Sequence, residues 1–176
     1  MNRRLILLFV SFLIVLSFSA LTTEAQRKSS ARRIKLPRAV SEALKNNCPD
    51  CVIAKVTREV ENGVTIYDFE FKQGQGEMDV ARDGTVIDRE TAIAEAEVPA
   101  PALEAIRKAA AGGTISQIEK DEIRAELKDG KIIKLDAPKY AYEADLAKGK
   151  QVGEVVVTPE GQITEGPKWR KKGTKE

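Results

Sequence analysis

Tyr67-Asp68-Phe69-Glu70-Phe71 alternates aromatic and acidic residues without a break. Successive side chains of a strand point to opposite faces, so Tyr67, Phe69 and Phe71 belong on a buried side and Asp68 and Glu70 on the other. Asn62-Gly63 before this stretch and Asp83-Gly84 after it are hairpin dipeptides. Working outward, period-two strands fall at about residues 52–60, 64–72, 77–82 and 85–88, an antiparallel meander. Val52, Val56, Met78 and Val80 are the expected core partners of the aromatic side.

A helix precedes this meander. Pro37 stands where a first-turn proline loses no hydrogen bond, and Val40, Ala43 and Leu44 follow at helical spacing. Asn46-Asn47-Cys48-Pro49 stops it, because asparagine tolerates positive φ and the residue before proline leaves the helical region. The same layout then recurs. Leu36-Pro37 followed by Glu42-Ala43-Leu44-Lys45 reappears as Val98-Pro99 followed by Glu104-Ala105-Ile106-Arg107, at an offset of 62. In the second copy Leu103, Ile106 and Ala110 keep helical spacing, Gly112-Gly113 is the expected left-handed stop, and strands fall at about 114–128, 131–135, 139–147, 151–158 and 162–165. Asp129-Gly130 is the turn of an insertion of about 13 residues in this copy. The expected fold is therefore α+β: two tandem repeats, each a helix packed on an antiparallel meander, four-stranded in the first copy and four- or five-stranded in the second.

Asn2-Arg3-Arg4, an apolar stretch from Leu5 to Leu16 and a small-residue end at Thr23-Glu24-Ala25 have the layout of a secretory signal peptide. The apolar part is short of the ~20 residues that span a bilayer. The expected organisation is a signal peptide at 1–25, a basic tail at 26–33, repeat 1 at 34–90, a linker at 91–97, repeat 2 at 98–167 and a basic C-terminal tail at 168–176. Periplasmic or secreted localisation follows, with no stable membrane span once the signal is cleaved. The formal charge of +2 hides a segregation: residues 39–167 carry 25 acidic and 16 basic residues, and the two basic tails flank them. The tails are expected to be solvated ends, and export argues against a nucleic-acid partner.

Leu36-Pro37-x-x-Val40, Cys48-Pro49-Asp50, Lys55-Val56, Glu61-Asn62-Gly63, the Tyr67–Phe71 stretch and Asp83-Gly84-x-Val86 together resemble the PepSY-like family of exported proteins, which is related in fold to the tandem-repeat β-lactamase-inhibitor proteins. Val98-Pro99, the Tyr142 strand and Pro159-Glu160-Gly161 match more loosely in the second copy. The resemblance implies a repeated helix-on-sheet fold and a non-catalytic role in protein binding or inhibition. It carries no catalytic residues, and the chain departs from it at Cys48 and Cys51.

The chain has no histidine, which removes Ser-His-Asp and Cys-His nucleophiles, His-ligated zinc and c-type haem attachment. Gly112-Gly113 follows a helix rather than opening one, so it is no phosphate cradle. No cofactor and no metal site are expected. An enzyme would need carboxylates with strongly raised pKa values, and these are assigned to a polar, exposed face. Cys48-Pro49-Asp50-Cys51 is read first as a structural disulfide of an oxidising compartment, with redox chemistry or an externally completed metal site as alternatives. The helix end beside Cys48 opposes a thiolate, and Lys55 is the first cation to follow in sequence.

The acidic face expected from alternation comprises Glu59, Asp68, Glu70, Glu77 and Asp79, joined by Glu143, Asp145 and Glu154 of the second copy. The residues alone leave two readings open, a solvated outer face or a binding surface. The functional expectation is a non-catalytic module that binds a protein or peptide with a basic surface. The alternative is a thiol–disulfide protein of the cell envelope built on Cys48 and Cys51.

Overall fold

The computed structural model describes residues 34–72 and 74–173. The signal peptide expected at 1–25 and the basic tail at 26–33 lie outside the described residues. Helix α1 spans Arg38–Asn47 and α2 spans Ala100–Ala110. Pro37 and Pro99 take the flanking N-cap positions, and Ala111, at φ 51°, makes the left-handed stop of α2 one residue ahead of the glycines.

The strands are β1 (Ile53–Glu61), β2 (Val64–Phe71), β3 (Glu77–Ala81), β4 (Val86–Ala92), β5 (Thr114–Lys128), β6 (Lys131–Lys148), β7 (Gln151–Val157), β8 (Ile163–Glu165) and β9 (Arg170–Lys171). They form one nine-stranded antiparallel sheet in the order β1 to β8, with β9 also pairing β7. This corrects the expectation of two tandem helix-on-sheet repeats, because the strands do not divide into two sheets. β4 runs on past Asp88, and Glu90, Thr91 and Ala92 pair with Asp121, Lys120 and Glu119 of β5. Two free edges would otherwise face each other here, and pairing them satisfies their backbone groups. The expected linker thus opens with the last residues of a central strand.

Both helices cover the same face of this sheet. Val40 and Ala43 of α1 pack with Tyr67, Phe69, Phe71, Met78 and Val80, and Val56 lies against that cluster. Ala102, Ile106 and Ala110 of α2 pack with Ile118, Tyr142, Ala144, Leu146, Val155 and Val157. Val52, expected in the core, is 52% exposed.

A third, smaller cluster lies on the other face. Ala81, Ile87 and Ala125 are buried together with Val64, Leu127 and Ile132 against them. The far arm of the β5–β6 hairpin therefore folds over one end of β2–β4. Its tip meets the β1–β2 turn, where a Cβ on Gly130 would lie 3.2 Å from the Asn62 carbonyl oxygen. Asn62-Gly63 and Asp129-Gly130 all have positive φ, as such hairpin turns require. β6 is continuous through Asp136-Ala137-Pro138, where two strands were expected, and a register shift between Ile123 and Ala125 absorbs the extra residues. The C-terminal basic stretch is not simply a solvated tail: Trp169 packs on the α2 cluster, with Gly153 leaving room for its ring, and Arg170 pairs with Val152.

Candidate functional site: a sheet face lined with carboxylates

Strand register puts the expected acids side by side on the face away from the helices. Asp68 stands opposite Asp79, and Glu70 opposite Glu77. The row continues through residues that alternation alone did not single out. Glu77 faces Glu90, Asp79 faces Asp88, and Glu90 faces Asp121. Two residues along β5, Glu119 faces Glu143, while Asp145 faces Glu154. Glu59 lies at the β1 end beside Ile66, and Glu165 closes the β8 end opposite Val156. The expected set is thus brought together and joined by Asp88, Glu90, Glu119 and Asp121, which complete the row across the middle of the sheet.

The face is more buried than a solvated outer surface. Asp68, expected to be exposed, is 3% exposed, and the Thr57 hydroxyl donates to its Oδ2 at 2.7 Å. Glu70 is partly covered and paired with Lys55. Asp121 Oδ1 is fully buried without a hydrogen-bond partner. Asp145, by contrast, is exposed.

Burial and like charge raise these carboxyls together. Burial, followed by the charges of Glu143, Asp88, Asp121 and Glu77, pushes Glu90 up to about 10. Burial and neighbouring acids put Asp121 and Glu143 at about 8. Glu77 is raised to about 7, chiefly by burial, with Lys55 opposing. Glu154 is also raised to about 7 by burial, with Arg170 and Lys168 opposing. Asp79 and Asp88, side by side and enclosed, are both raised, burial leading. The cations acting on the row therefore stand at its two ends, Lys55 beside β2 and Arg170 on β9. At neutral pH the middle of the face holds protons on its carboxyls.

These shifts correct the expectation that an alternating polar face keeps ordinary carboxylate pKa values. Several of these groups titrate where acid–base chemistry operates. The described aromatics nevertheless lie on the other side: Tyr67, Phe69, Phe71 and Tyr142 are in the helix-side clusters, Trp169 packs on one of them, and Tyr140 lies under Lys120. Sugar-stacking platforms are thus missing from the carboxylate face among the described residues. No group of three or more His, Cys, Asp or Glu among the described residues is arranged to hold a metal ion. Cys48 and Cys51 form a disulfide at the end of α1, on the helix side. Among the described residues no helix is long and apolar enough to cross a membrane.

No family model matches this sequence, and no curated protein matches it. Solved structures do. A protein described as periplasmic from Bacteroides eggerthii superposes with a TM-score of 0.54 at 16% identity, over 78% of this chain and 89% of that one. A DUF2874 family protein from Bacteroides ovatus gives a TM-score of 0.51 at 11% identity, over 78% of this chain and 89% of that one. A BLIP-like protein from Bacteroides fragilis gives 0.49 at 12% identity, over 81% and 92%. At such identities the first two establish a shared fold: helices on one side of an extended antiparallel sheet.

Proposed function

We propose that this chain is an exported binding module, periplasmic or secreted, that takes a protein or peptide with a basic surface onto its carboxylate face and catalyses nothing. The observation that carries the reading is the unbroken acidic row from Asp68 to Glu154 over six strands, with cations only at its ends. Carboxyls held neutral by burial, and further by one another's charge, gain from an arriving ammonium or guanidinium, which lowers their pKa and replaces their protons. Acid–base catalysis would instead call for two groups isolated in a cleft, and these are spread along a sheet. The export reading rests on the Arg3-Arg4 and Leu5–Leu16 pattern, on the disulfide, and on fold likeness to a protein described as periplasmic.

The test is recovery of partners from the exported fraction with the wild type and a Glu77→Gln/Glu143→Gln/Glu154→Gln variant, both shown to be folded by circular dichroism. Loss of basic partners with the variant supports the reading. Unchanged recovery by the folded variant removes the carboxylate face as the site.

A further inference from the structure

Arg89 is a half-buried cation without an ion pair among the described residues. It reaches from β4 to the helix side, where its Nη1 donates to the Asn47 carbonyl oxygen at 3.1 Å and its Nη2 to Cys48 Sγ at 3.5 Å. Its Nε is buried without a partner, and no ion pair holds it among the described residues. The neighbouring Arg124 makes the contrast. It also reaches Asn47, through Oδ1 at 2.6 Å, but Glu122 neutralises it at 2.8 Å. A half-buried guanidinium without an ion pair is costly to keep, and the Cys48 sulfur within reach of it becomes an anion on reduction.

We propose that Cys48–Cys51 is an exchangeable disulfide that accepts two electrons from an external dithiol, with Arg89 as the counter-ion of the Cys48 thiolate that forms. Cys48 is 8% exposed and Cys51 more so, which directs the incoming thiolate to Cys51 Sγ. The Sγ–Sγ bond breaks, and its electron pair leaves on Cys48, beside the Arg89 guanidinium. The mixed disulfide at Cys51 is then resolved when the second thiol of the donor attacks the donor's own sulfur. The donor leaves as a disulfide, Cys51 takes one of its protons, and the other goes to solvent. A better-stabilised leaving thiolate makes the first step faster and the reduced form more populated. The end of α1 at Asn47–Cys48 works against a thiolate, and Arg89 sits on that same carbonyl and offsets it. The inference does not depend on the carboxylate face.

The test equilibrates the full chain in reduced and oxidised dithiothreitol and counts free thiols by alkylation and mass. Arg89→Gln removes a hydrogen bond to a charged group, which shifts the equilibrium toward the disulfide about tenfold, or about 30 mV for this two-electron couple. Arg89→Lys lies between the two, and Arg124→Gln, which does not touch sulfur, matches the wild type. An Arg89→Gln equilibrium equal to the wild type overturns the proposal, whatever happens to thermal stability. If Arg89→Gln does not fold, the reduced wild type decides. Alkylation of Cys48 across pH supports the proposal if it titrates well below the ordinary cysteine value of about 8.5, and overturns it if it titrates there or above.

Discussion

Replacing Glu90 by Gln removes the ionisable carboxyl with the most strongly raised pKa on the sheet face while keeping its size. Glu90 titrates at about 10 in the folded chain and at its ordinary value of 4.5 when unfolded. Its contribution to stability is therefore fully present below about pH 4.5 and is lost as pH rises toward 10, because the unfolded chain ionises first. Each pH unit in that window removes about 1.4 kcal/mol, so the wild type loses about 3 kcal/mol through this residue between pH 4.5 and pH 7. Glu90→Gln should have nearly the wild-type stability at pH 4.5 and exceed it increasingly up to pH 9. Urea unfolding at several pH values reads this directly, with Trp169 as the probe, since it is the single tryptophan and packs on the α2 cluster. Parallel pH profiles for wild type and variant would refute the reasoning.

Three further outcomes follow from packing and exposure. Ile106→Ala, at 0% exposure on the buried side of α2, should cost about 2–5 kcal/mol at unchanged urea m-value. Gly76→Ala should cost about 2 kcal/mol or more, because its Cβ would stand 1.9 Å from the Glu90 carbonyl oxygen at a φ of +82°; a wild-type urea midpoint would contradict the close approach of β3 and β4. Asp145→Lys, on an exposed side chain, should leave stability within about 0.5 kcal/mol and weaken capture of a basic partner, most visibly in the association rate at low salt.

Much of this molecule was legible from short-range pattern. The Tyr67–Phe71 alternation placed its aromatics under a helix, the dipeptides Asn62-Gly63 and Asp129-Gly130 marked real hairpins, and Pro37 with Val40 and Ala43 located α1. Pairing across the boundary between the halves was not legible. Arg89-Glu90-Thr91-Ala92 is polar and carries no apolar alternation, so only the register with β5 reveals it as strand. The consequence is twofold: local pattern divides one sheet into two, and it does not single out Glu90 and Asp121, which join the acids of the halves. The apolar cluster on the carboxylate face is not legible for a related reason. The hairpin arm that folds onto that face is held by Ala81, Ile87 and Ala125, contacts between residues far apart in sequence. Likewise Arg89 reaches Cys48 from 41 residues away, whereas the first cation that follows the motif in sequence is Lys55.

The central claim is that the carboxylate face receives a cationic partner by exchanging protons for it. Calorimetric titration with a lysine-rich peptide at pH 7, in two buffers of different ionisation heat, measures that exchange. The account predicts net proton release on binding, abolished together with most of the affinity in the Glu77→Gln/Glu143→Gln/Glu154→Gln variant. Binding without proton release, or with equal affinity in that variant, would contradict it.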